Sequence, residues 1–144
     1  MPAVSGLHTP IKAIYLEGDI LILFDSTDDN INVGAGETDH VIGKISGTDG
    51  TLEWINAIKP TLGVVTNAID MALSTDERML YVFLHHSGQE TPIIMVSNPN
   101  DGSAIYAKMI EQKNNPGFLP YDVNLIRAGT VSIHTNKLLI LGER

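Results

Sequence analysis

Cysteine is absent from the 144 residues. That excludes disulfides, thiolate metal centres and a cysteine nucleophile together, and leaves the redox compartment unread. Basic residues are few: nine Lys and Arg stand against 17 Asp and Glu, a formal net charge of −8. A surface of that sign repels phosphate backbones, so neither nucleic acid nor an anionic membrane is expected as a partner. Long apolar runs are missing as well. The longest span about five residues, far short of the roughly 20 that a membrane helix needs. The N-terminal stretch lacks a basic segment followed by an unbroken apolar one, so no signal peptide is expected. Asn-x-Ser/Thr acceptors and the G-x-S-x-G and S-x-x-K nucleophile motifs are also lacking.

What is present reads as one globular β domain. Hydrophobic residues make up 43% and charged residues 18%, enough apolar surface for a core and too little charge for disorder. Short apolar runs flank turn residues three times. "AIYLEGDILILFD" turns at Glu17-Gly18-Asp19, "IDMALSTDERMLYVFLHH" at Thr75 to Arg78, and "TVSIHTNKLLILGE" at Thr135-Asn136-Lys137. Each predicts a β-hairpin. Leu21, Leu23, Leu80, Val82, Leu139 and Leu141 are the expected buried strand positions. No segment has a convincing helical period, and "YAKMIEQKNN" is expected to be a strand running into a loop.

A second unit follows each of the first two hairpins: "HVIGKISGTDGTLEWINAIK" and "TPIIMVSNPNDGSAIYAKMIEQ". Each predicts strand, Asp-Gly turn, strand, with Asp49-Gly50 and Asp101-Gly102 supplying the positive φ such turns require. Trp54 and Tyr106 stand four residues past those glycines. The Asp-Gly pairs are 52 residues apart, and Leu23 and Val82 are 59 apart. Prolines 10, 60, 116 and 120 fall between units. Four short strands per repeat is the pattern of a propeller blade. The unit "VIGKISGTDGTLEWINAIK" resembles the outer half of a blade in the PQQ-like and bacterial-propeller-repeat families, where a strand ending in Lys and two apolar or polar residues precedes Asp-Gly and then an aromatic. The resemblance covers roughly residues 11 to 141. It implies an all-β fold of antiparallel four-stranded propeller-type blades, two blades plus a half, with units at about 11–59, 60–113 and 114–144. It also implies a scaffold that grants no activity by itself. The alternative fold is a Greek-key β-sandwich.

The candidate chemistry is sparse. In the acidic loop "DSTDDNINVGAGETD", Asp28, Asn30, Asn32 and Asp39 stand at the first, third, fifth and twelfth places of a calcium loop. Val33 replaces the turn glycine, Asp39 replaces the bidentate Glu, and no helices flank the loop, so a solvated polar loop competes with calcium. His85 and His86 are adjacent in a strand and point to opposite faces, which prevents joint chelation. His8, His40 and His134 are scattered. Gly34 and Gly36 lack the following helix that would hold a phosphate. Phe118 and Tyr121, in "KNNPGFLPYD", form either edge packing or a contact surface.

These observations point to a non-enzymatic structural or interaction module without cofactor. Two and a half blades leave β-edges open, with Leu138, Leu139, Ile140 and Leu141 as the apolar edge, and open edges recruit further strands. The expected partner is another copy of the chain or a neighbouring protein. The rival is a calcium- or ligand-binding β module using residues 25–39. The sequence is silent on localisation.

Overall fold

The computed structural model describes residues 8–26, 39–58, 66–86, 92–109, 125–131 and 137–143. They form ten strands: β1 (His8–Leu16), β2 (Asp19–Ser26), β3 (Asp39–Ile45), β4 (Leu52–Ala57), β5 (Thr66–Leu73), β6 (Leu80–His86), β7 (Pro92–Ser97), β8 (Ala104–Met109), β9 (Leu125–Val131) and β10 (Leu138–Glu143). The strand orders are β1-β2-β3-β4, β5-β6-β7-β8 and β10-β9, with every pair antiparallel. Among the described residues each strand therefore pairs only with its chain neighbours. A Greek key needs a fourth strand returned beside the first, so the sandwich alternative is corrected: these are two four-stranded propeller-type blades and a further hairpin. The segment from Tyr106 is strand to Met109, as expected.

The register exposes the repeat more sharply than composition does. The first strand of each sheet carries a bulge that leaves one residue unpaired: Ile11 in β1, Ile69 in β5 and Arg127 in β9. These positions are 58 apart in both steps (69 − 11 and 127 − 69). An extra residue of this kind bends its strand and increases the local twist. Lys12 pairs with Leu23 and Asp70 with Phe83. Leu23 thus corresponds to Phe83, one residue beyond the expected Val82, because the β5–β6 turn is two residues longer. Pro10 is also displaced from its expected place between units. It lies inside β1, opposite Phe24 and beside the bulge, a sheet-edge position where its missing N–H breaks no ladder.

Turn chemistry follows the residues. Glu17 and Gly18 both have positive φ, 47° and 96°, between the paired Leu16 and Asp19. That is the two-residue turn whose twist matches the flanking strands. Gly50 and Gly102 have φ of 73° and 71°. Their turns are longer than a two-residue hairpin: Gly50 N donates to Ser46 O at 2.9 Å and Ser46 N to Thr51 O at 2.8 Å. Asp49 and Asp101 each accept from the backbone N–H and hydroxyl two residues on, at Thr51 and Ser103.

The chain divides into two compact units, Met1–Lys59 with Pro99–Ser103, and Pro60–Asn98 with Ala104–Arg144. In the first unit Leu21, Leu23, Val41 and Ile42 are buried. Trp54 is half-buried with its ring against Gly102, and Asn56 Nδ2 donates to Asp101 O at 2.7 Å. Tyr106, the aromatic at the matching place in the second unit, is by contrast 48% exposed. In the second unit Leu80, Val82, Phe83, Leu84, Ile93, Met95 and Val96 are buried.

The β9–β10 hairpin lies by its face against β5 and β6. Leu138 packs on the cluster of Ala72 and Phe83, beside Ile69, Tyr81 and Ile94. Gly129 lies so close to the Phe83 ring that a Cβ there would collide with it. The buried Asp70 ties the two layers: Oδ1 accepts from Met71 N at 2.9 Å and Oδ2 from Gly129 N at 3.1 Å. Leu139, expected in the core, is instead 53% exposed, because alternation turns it away once Leu138 faces inward.

Candidate functional site

Among the described residues, two features present unsatisfied surface. The first is a groove of about 650 Å³ on the β1–β4 sheet, lined by Ala13, Ile22, Phe24, Leu52, Ile55 and His8 among others. β2 explains it. "ILILF" is apolar throughout, yet only Leu21 and Leu23 are buried, while Ile22 and Phe24 are half-buried and Ile20 is 40% exposed. Tyr15, paired with Ile20, is 72% exposed. His8 stacks edge-on to Phe24 with ring centroids 5.8 Å apart. Both its ring nitrogens are shielded from solvent without a partner among the described residues, a cost that an occupant offering a hydrogen bond would relieve.

The second feature is β10. The corresponding strands β2 and β6 each pair on both sides, whereas β10 pairs only with β9 among the described residues. Its run Leu138–Leu141 carries neither proline nor charge to blunt an open edge.

Ionisable side chains on the first sheet hold strands together. Lys44 Nζ bridges Asp19 Oδ2 at 2.7 Å and Glu53 Oε2 at 2.9 Å, spanning β2, β3 and β4. The Lys44 contact, with a further bond from Gly47 N at 3.2 Å, holds the Asp19 carboxyl below its ordinary range. Hydrogen bonds to Asp19 and then Glu53 raise Lys44 above its own. His40 Nδ1 meets the Asp25 carboxylate across paired positions of β3 and β2. Asp49, Asp76 and Asp101 are all lowered, first by bonds from Thr51, Ser74 and Ser103 respectively. Among the described residues no group of three His, Cys, Asp or Glu could hold a metal ion.

The residues singled out by sequence are unevenly placed. Asp28, Asn30, Asn32, Phe118 and Tyr121 lie outside the described residues. Asp39 opens β3, its backbone paired with Ser26. His85 and His86 close β6 opposite Asn67 and Thr66. Leu138, Leu139, Ile140 and Leu141 form most of β10, although Leu138 faces into the second unit. The groove was missed in the sequence. Its signal was the fully apolar run of β2, which reads equally well as a strand buried on both faces.

No protein-family model matches the sequence, and no curated protein matches it either. Among solved structures, the β-propeller domain of the Trilobed protease from Pyrococcus furiosus is similar, with a TM-score of 0.54 and 14% identity, over 94% of this chain and 34% of that one. That structure is described as having an open velcro topology. The chain spans about a third of the neighbour's length, and the likeness is one of fold: an all-β, propeller-type architecture.

Proposed function

We propose that this chain is a non-enzymatic structural or interaction module that completes its β-structure by pairing exposed strand edges with copies of itself or with other chains. The observation that carries the reading is β10, an apolar strand with one described neighbour where β2 and β6 have two. Unpaired N–H and C=O groups along such an edge are a template for a further strand. Within the propeller architecture, the strand, Asp-Gly turn, strand and Trp54 of the first unit support placement with PQQ-like or bacterial-propeller repeats.

Amide hydrogen exchange tests the edge. In an antiparallel hairpin, alternate amides of β10 bond to β9 and the others point outward. The outward amides between 138 and 143 should gain protection as protein concentration rises or as a partner is added. Fast exchange of those amides under every condition would refute edge pairing.

A further inference from the structure

The common register makes the faces of the three sheets comparable position by position. One face, called here the leading face, carries Ala13, Ile20 and Ile22 in the first sheet. It carries Met71, Leu80 and Val82 in the second, and Gly129 and Leu138 in the hairpin. The opposite, trailing face carries Ile14, Leu21 and Leu23, then Ala72, Tyr81 and Phe83, then Thr130 and Leu139. Inside the second unit a leading face already meets a trailing one: Gly129 lies against the Phe83 ring and Leu138 packs on the cluster of Ala72 and Phe83. The two kinds of face are therefore complementary in this protein.

Among the described residues, one face of each kind is open. The leading face of β1–β4 has Ala13 and Tyr15 exposed, Ile20 40% exposed, and the apolar groove beside them. The trailing face of the hairpin has Thr130 exposed and Leu139 53% exposed. Ile20 occupies the repeat position of Leu138, the residue that makes the seated contact within the second unit.

We propose that the leading face of β1–β4 is the seat of a second copy of this chain, docked through the trailing face of its β9–β10 hairpin. This rests on reading the chain as a self-assembling module, and it specifies a face where that reading specifies an edge. The contact is head-to-tail, joining two different surfaces. Counting the described residues, two copies bring four four-stranded sheets and two hairpins, six in all. That lies within the roughly four to eight blades of closed propellers, and the nine of three copies do not. The seat is a broad sheet surface continuous with Tyr15 and Ile20, which suits another sheet better than an enclosed small molecule. The polar clasp is not repeated at this contact. Ala128 takes the place of Asp70 in the hairpin, so the dimer should be concentration-dependent.

The test is sedimentation velocity with native mass spectrometry on the whole chain and two variants, Ile20→Lys and Leu139→Lys. Both sites are already part-exposed, so each variant should keep the circular dichroism and melting profile of the dilute wild type. The wild type should dimerise at micromolar concentration. Each variant should weaken dimerisation by about 100-fold or more, since an unpaired ammonium would be buried in the contact. Mixing the variants should give a heterodimer held by one intact contact, because one keeps an intact hairpin and the other an intact seat. A wild type that stays monomeric overturns both this inference and the assembly reading. A wild-type dimer unaffected by either variant overturns this inference and leaves edge pairing standing. Variants that stay monomeric when mixed, although folded, overturn the head-to-tail arrangement.

Discussion

Ile20 and Leu80 hold the same place in two sheets built on the same plan, yet Ile20 is 40% exposed and Leu80 is fully buried. The contrast runs along both strands. In β6, Val82, Phe83 and Leu84 are consecutive and all buried, so both faces of that strand are covered. In β2, burial alternates although the run is equally apolar. The sheets also hold their turn ends differently. Asp19, Lys44 and Glu53 form an ionic bridge in the first, where register places Met79, Val96 and Ile105 in the second. A uniformly apolar strand therefore reports the capacity to be covered on both faces, and the folded chain uses that capacity in β6 and not in β2.

Truncating both members of the pair should have the largest effect. Leu80→Ala should cost roughly 2–4 kcal/mol, the loss expected for a well-packed site. Ile20→Ala should cost less than about 1 kcal/mol in dilute monomer, as for an exposed position. Chemical denaturation reads both, and equal costs would remove the distinction between the sheets.

A smaller effect separates Gly129 from Ala13, which share a repeat position. Gly129→Ala forces a methyl group into the Phe83 ring and should cost about 1–3 kcal/mol by overpacking. Ala13 is exposed, so Ala13→Leu should change monomer stability by no more than about 0.5 kcal/mol. A harmless Gly129→Ala would show that the hairpin does not press on the second sheet.

The smallest effect is on pH dependence. Lys44, and next Gly47 N–H, lower the folded-state pKa of Asp19, so ionised Asp19 favours the fold. That contribution is present above the ordinary carboxylate value of 3.8 and is lost as pH falls through the depressed folded value. Lys44 acts in the opposite sense: its contribution is present below 10.5 and lost as pH rises through its raised value. Amide exchange should therefore show β3 losing protection before β7 as acid is added. Asp19→Asn should abolish that difference, and simultaneous loss in the wild type would contradict it.

Much of the fold was legible because the turns are written in chemistry that only a few residues supply. Asp49-Gly50 and Asp101-Gly102 marked their turns by the need for positive φ, and the observed angles agree. Strands β2 and β6 were visible as apolar runs between turn residues. The bulges at Ile11, Ile69 and Arg127 were not legible, since a bulge is a property of pairing and these residues have no common side-chain chemistry. Nor was the seat on the first sheet. Ile20, Ile22 and Phe24 would read the same beneath a neighbouring layer or in the open, because tertiary contacts decide burial. The Asp70 clasp was hidden for a related reason: its partner is a backbone N–H 59 residues away.

The most direct test of the account is an isotope-filtered nuclear Overhauser experiment on a mixture of carbon-13-labelled and unlabelled chains. It asks whether the Ile20 methyl groups of one copy touch the Leu139 methyl groups of another. An intermolecular cross-peak that fades on dilution is expected. Ile20 and Leu139 methyl groups that stay solvent-accessible at every concentration, with no intermolecular contact, would contradict it.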